Sequence, residues 1–366
     1  MTFSNQKKQK VVSNSTLFIP DISGFTKFVK STEINHGKHI IEELINIIIS
    51  EGKKEFEVAE VEGDAVFFYK KGIVSPEVLI NQAKKIFVAF HKHLLDYEHN
   101  RICECGACTT AVNLRLKFIT HAGDISLAHY GTGNAKPYGD AVIAVHRLLK
   151  NSIAADQYVL FTDDFLAESN LQLDGEGTLN DESLGKIPFK FLDINHWKAD
   201  VVINKKELKK TDVDLEVSAS KEIPMDSLTL HKLISEFKYR SLWNKEADEI
   251  IYKEDEINQN GSEHFCVVNG KDLLFDTIKP EYDAGLAYGE ILKNPAPFKY
   301  LENDFYVKDV SSNLAQLKVT LRVSLKWQWQ KILIPLFKKK MTAQLQKIIQ
   351  SIETAVKEIP RSELAA

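Results

Sequence analysis

The stretch from Phe18 to Tyr69 constrains this chain more than any other. FIPDISGFTKF reads as an apolar strand that runs into Asp21, and EVAEVEGDAVFFY reads as a hairpin with Gly63-Asp64 at its turn. Between them, Ile34, Ile40, Ile41, Leu44, Ile45 and Ile48 form an apolar stripe at helical spacing, which predicts a helix over Thr32–Ser50. Strand, helix and hairpin in this order let Asp21 and Asp64 meet at one point. Two carboxylates with few other side chains suit a magnesium-type cation, which takes hard oxygens and leaves room for water and phosphate. Local signals leave a plainer reading open: Asp21 as a helix cap and Gly63-Asp64 as an ordinary turn.

Three segments together carry a resemblance. FIPDISGFTKF resembles the opening strand of class III adenylate and guanylate cyclases, EVEGDAVFFY their hairpin, and YGDAVIAVHRLLKNS (Tyr138 to Ser152) their later helix, in the same order and spacing. The resemblance implies an α+β, ferredoxin-like sandwich of the nucleotide cyclase type. It implies Mg2+ or Mn2+ held by Asp21, Asp64 and the backbone carbonyl of Ile22, a purine nucleoside triphosphate as substrate, and a homodimer in which Arg147 of one copy serves the site of the other. Glu60 and Lys136 fall on the base-reading positions, although Lys136 is neither of the residues usual there. A Lys there would ion-pair with Glu60 and blunt base readout, and both residues also read as solvated charges. Ile143 stands where the family has an Asn, which puts full catalytic power in doubt. Lys186 is the nearest match to the family's phosphate-binding Lys.

At 366 residues, 44% hydrophobic and 27% charged, the chain has room for two ordinary globular domains. A net charge of -4 gives no electrostatic ground for nucleic-acid binding, and no apolar run is long enough for a membrane span. With a polar opening MTFSNQKKQK unlike a signal peptide, the expected location is cytoplasmic. The expected organisation is a tail over 1–15, a cyclase-like domain over 16–200, a lysine-rich linker over 201–213 and a second domain over 214–360.

Further along, Ser75-Pro76-Glu77 marks a helix start, with Leu79, Ala83, Ile86, Phe87, Phe90 and Leu94 on its buried side. Leu114, Leu116 and Phe118 alternate with Arg115 and Lys117 as a half-buried strand, with a hairpin partner expected from Asp124 to Tyr130. A helix over Asp140–Asn151 and strands Tyr158–Thr162 and Phe189–Ile194 complete the first domain.

In the second domain, alternation from Leu317 through Trp327 to Trp329 predicts one long strand, and Pro335–Lys357 predicts a closing helix. The order of strand, helix with Arg240-x-x-Trp243, antiparallel sheet and long helix resembles the START-like, Bet v 1-like helix-grip fold. That resemblance implies a hydrophobic small molecule as ligand. Trp327 and Trp329 read either as core or as part of a ligand box.

HNRICECGAC places Cys103, Cys105 and Cys108 close together, with His99 and His121 as candidate fourth ligands for zinc. Buried structural thiols, or a redox pair, are the alternatives. His36, His39, His91 and His93 read as surface residues.

These features support two functions: a nucleotide cyclase whose second domain senses a hydrophobic ligand, or a catalytically silent cyclase-fold binding protein.

Overall fold

A computed structural model describes residues 11–129, 135–167, 169, 171–202, 212–253 and 256–360. They form two compact units, one from residues up to Asp96 together with Thr110–Asn204, the other from Tyr97–Thr109 together with the chain from Lys205 onward. The molecule is α+β.

The first unit opens with β1 (Val11–Ser23), α1 (Phe25–Lys30) and α2 (Ile34–Gly52). The hairpin β2 (Glu57–Glu62) and β3 (Ala65–Lys70) follows, then α3 (Pro76–Asn100). The backbone from Val11 is already strand, so the expected tail does not extend to residue 15; residues 1–10, and 203–211 of the expected linker, lie outside the described residues. After α4 (Gly106–Thr110) come β4 (Arg115–Ala128), β5 (Lys136–Tyr138), α5 (Asp140–Arg147), β6 (Tyr158–Thr162), α6 (Asp163–Leu166), β7 (Gly175–Asp181) and β8 (Gly185–Asp193). The sheet order is β2-β3-β1-β4-β6-β8-β7, with β5 on β4.

The apolar run Leu17–Ile19 within β1 is continuous because both faces of the strand are covered there. Leu17 and Ile19 join Phe67, Ile119, Val145 and Leu160 on the α5 side. Phe18, between them in the chain, stacks on Phe118 with ring centroids 5.6 Å apart and packs against Phe68.

β4 departs from expectation. It is one strand of 14 residues rather than a hairpin. Gly123 is a close-approach residue and not a turn: a Cβ there would stand 2.7 Å from the Cβ of Ala141 on α5.

The second unit comprises β9 (Leu215–Ile223), α7 (Ser227–Ser235), α8 (Arg240–Trp243), β10 (Glu249–Ile251), β11 (Glu263–Val268), β12 (Lys271–Ile278), β13 (Leu286–Leu292), β14 (Phe298–Ser311), β15 (Leu314–Leu325) and α9 (Ile334–Glu358). Asp226 caps α7 by accepting the Thr229 N–H. The strands make an antiparallel sheet in the order β10-β11-β12-β13-β14-β15-β9. α9 lays Met341, Leu345, Ile349, Ile352 and Ala355 into a core with Val217, Leu317, Val319 and Phe305, the helix-on-sheet arrangement expected for this half. β15 stops at Leu325, short of the tryptophans. Trp327 and Trp329 are exposed, and neither belongs to the core.

The segment Tyr97–Thr109 is tied into this unit. Asn260 donates its backbone N–H to the Asn100 carbonyl at 2.7 Å, Arg101 bridges Gln259, and Ile102 enters the core.

Candidate active site

Asp21 lies near the end of β1, opposite Ala65 of β3 on one side and Lys117 of β4 on the other. Asp64 sits in the turn joining β2 and β3, where Gly63 takes a left-handed φ of 67° that a residue with a Cβ adopts only with strain. The turn is pinned to β1 by the Ile22 N–H, which donates to the Asp64 carbonyl at 3.0 Å. The two acidic residues are electrostatic neighbours. Burial, and then the charge of Asp21, push the Asp64 carboxyl above its ordinary range.

A third residue completes the group. The Lys117 ammonium stands 2.9 Å from Asp21 Oδ2 and also donates to the Leu149 carbonyl at 3.3 Å. Burial is the largest influence and lowers the ammonium pKa, but the Asp21 charge and hydrogen bond, helped by Tyr158 and Asp64, together outweigh it and hold the pKa up. The Tyr158 hydroxyl is close enough for burial, and more weakly the Asp21 charge, to raise it as well. The donor set is therefore two carboxylates, one of which, Asp21, already holds a cationic group. Hard oxygens around positive charge fit Mg2+ or Mn2+.

Glu60 and Lys136 form the anticipated ion pair, Nζ to Oε1 2.8 Å, with both side chains partly exposed. Such a pair contributes little to stability, about 0–1 kcal/mol. Arg147, at the end of α5, pairs with Asp181 of β7 at 3.4 Å, and its side chain is largely exposed. Ile143 is 46% exposed on α5. Lys186 is exposed on β8, which is separated from β1 by β4 and β6. His146, not singled out from the sequence, bridges the Val142 carbonyl and Glu62, at 2.7 and 2.9 Å.

In Tyr97–Thr109, the sulfurs of Cys103, Cys105 and Cys108 lie within 4.8 Å of one another, and none is in a disulfide. Cys103 and Cys108 are buried, and the Tyr97 hydroxyl is 3.0 Å from Cys108 Sγ. Neither expected histidine joins them. His99 lies outside the cluster, and His121 is buried on β4 with Nδ1 2.9 Å from Thr162 Oγ1. His91 is also no surface residue: it is buried against Gln157 at 2.6 Å.

Sequence reasoning missed a buried polar group in the second unit. The Arg240 guanidinium makes a two-pronged pair with Glu290, and the Tyr288 hydroxyl also donates to Glu290. All three are almost fully buried, as is His264. His264 lies between Phe237 and Phe275, with ring centroids 4.4 and 5.3 Å away. Its Nε2 is 3.4 Å from Glu290, outside hydrogen-bonding geometry. Only the Arg-x-x-Trp motif hinted at this group.

Residues 41–158 match a family model described as a protein of unknown function, DUF2652. The chain is 27% identical over 149 residues to an uncharacterized protein of Mycobacterium tuberculosis, covering 40% of this chain and 70% of that protein. Among solved structures it is similar to a guanylate cyclase domain from Catenaria anguillulae in complex with GTP (16% identity, TM-score 0.38, 50% of this chain and 97% of that one). It is also similar to a bacterial light-regulated adenylyl cyclase (15% identity, TM-score 0.40, 53% and 100%). A START superfamily protein from Mycobacterium smegmatis is a further likeness (20% identity, TM-score 0.33, 40% and 99%). No helix among the described residues is long and apolar enough to cross a membrane.

Proposed function

We propose that the first unit is a class III-type nucleotide cyclase that converts a purine nucleoside triphosphate to its 3′,5′-cyclic monophosphate and pyrophosphate. The observation that carries this reading is the convergence of Asp21 and Asp64, with Lys117 on Asp21, at a point suited to positive charge. In the reaction the ribose 3′-oxygen bonds to the α-phosphorus, the bond to the β-phosphate breaks, and the 3′-proton passes to solvent. Mg2+ or Mn2+, held by Asp21, Asp64 and the Ile22 carbonyl, would supply Lewis-acid activation and neutralise phosphate charge. Lys117 balances the two carboxylates when no divalent ion is bound. Exposed Arg147 and Ile143 on α5 support a homodimer in which Arg147 serves the partner's triphosphate. Glu60 faces the base with its charge shared by Lys136, which favours weak discrimination between ATP and GTP.

The test is incubation of the purified protein with Mn2+ and each nucleoside triphosphate, with cyclic product separated by chromatography. Product from ATP or GTP, reduced about 100-fold or more by Asp64→Ala, is expected. No product, together with nucleotide affinity unchanged by Asp64→Ala, overturns the reading. The exposed Ile143, in place of an amide, favours a second reading as a nucleotide-binding module without turnover, which the same assay identifies as binding without product.

For the second unit we propose a hydrophobic small molecule, supported by the helix-on-sheet architecture with a buried polar anchor at Arg240 and Glu290. Native mass spectrometry of the purified protein tests it, and a mass equal to the bare chain counts against it. The three thiols favour zinc, with a fourth ligand from outside their segment. A cytoplasmic location fits all of these roles.

A further inference from the structure

Where β15 ends, the chain reads KWQWQKILIPLFKKK from Lys326 to Lys340, passes through a 3-10 helix over Gln328–Leu333, and enters α9. This stretch holds five lysines and no acidic residue, in a chain whose net charge is -4. It also holds large apolar side chains in water: Trp327 is 48% exposed, Trp329 60%, Ile332 82% and Leu336 48%. The two indoles stack on each other, centroids 5.9 Å apart and nearly parallel, and the Lys326 ammonium lies 5.0 Å from the Trp327 ring.

The mount beneath them is built. Buried Gln330 accepts the N–H groups of Lys326 and Trp327 at 2.8 and 3.0 Å, and its amide donates to the Pro297 carbonyl at 3.0 Å. Phe337 packs edge-on against Phe298. The backbone is thus held by the unit's interior while the tryptophans and Ile332 point away from it, so the exposure is not that of a loose loop.

We propose that residues 326–340 seat the second unit on an anionic lipid surface, as a peripheral contact. Indoles partition to the headgroup level of a bilayer, where ring and N–H both find suitable surroundings. Ile332 and Leu336 reach further in, and the lysines stay at the phosphates with their stems along the apolar layer. Charge argues against a second copy of this chain, because facing two such patches would oppose ten lysines without a counter-charge. It also argues against a protein interface core, where Lys is depleted.

The experiment is co-sedimentation of the full chain with phosphatidylcholine vesicles with and without phosphatidylglycerol, read together with tryptophan emission. Binding to the phosphatidylglycerol vesicles, a blue shift, and several-fold weakening at high salt are expected. Trp327→Ala with Trp329→Ala, and separately Lys338→Glu with Lys339→Glu and Lys340→Glu, should each weaken binding at least about tenfold while thermal melting stays unchanged. The proposal is overturned by absence of binding, or by binding that these variants leave unaltered. It is equally overturned if the tryptophan variant abolishes self-association in sedimentation velocity, or if an oligonucleotide binds as well as the vesicles and loses affinity in the same variants.

Discussion

An ammonium stands 2.9 Å from Asp21, and a divalent ion bound between Asp21 and Asp64 would draw on the same negative charge, so the two would compete. Lys117→Met is therefore expected to tighten Mn2+ binding about tenfold, measured by Mn2+ electron paramagnetic resonance; unchanged or weaker binding would show that Lys117 is not the competitor. Asp64 gives a complementary sign. Its carboxyl pKa is raised in the fold, so the stability it contributes is present below the ordinary carboxylate range and is lost as pH rises through the raised value. Burial and the Asp21 charge both disfavour the ionised side chain, and a bound cation would relieve them. Asp64→Asn should melt at a higher temperature than the parent at neutral pH, yet lose the stabilisation that Mn2+ gives the parent. Asp21, Asp64 and the Glu60–Lys136 pair were legible because each sits inside a local motif. Lys117 was not: its role depends on a β1–β4 register that joins residues far apart in the chain, and alternation alone placed it on a solvated face. His121 misled for the same reason, since its partner Thr162 is supplied by β6.

Elements with a strong apolar period were readable, and those shaped by close contact were not. α2, α3 and α9 follow from their stripes, whereas β7 was missed because GEGTLND looks like a loop. Its Gly175 and Gly177 lie under the rings of Phe191 and Phe189, where a Cβ would approach to 2.6 Å. At the end of β15 the two-residue period runs on through Trp327 and Trp329, but the Gln330 cap turns the chain and leaves both rings outside. α9 is the element on which the second unit closes, and Leu345 is its fully buried centre. Leu345→Ala should cost about 2–5 kcal/mol in urea unfolding of that unit. A loss under 1 kcal/mol would mean that the helix is not gripped as described.

For the molecule as a whole, buried histidines set the acid limit. Burial pulls His231 and His264 of the second unit, and His91 of the first, down to about 4 from an ordinary 6.5. The unfolded chain takes up these protons first, so stability is complete above pH 6.5 and falls as pH drops toward 4. Thermal midpoints should decline across that window, and His264→Phe, which keeps a ring between Phe237 and Phe275, should make the decline shallower. An equal slope in the variant would remove His264 from the account. Composition gave no sign of this, because burial of a histidine depends on which helix or strand face receives it.

The grouping of Tyr97–Thr109 with the later part of the chain bears on how the protein is made. Ile102, together with the three thiols beside it in the chain, leaves the ribosome well before β9 to α9, whose core takes up Ile102, have been synthesised. Throughout that interval the nascent chain carries an adhesive, oxidisable segment between two halves of a sheet that is itself closing. A shortened protein ending at Asn204 would keep that condition permanently, and would be expected to aggregate or cross-link through cysteine although every strand of its own sheet is present.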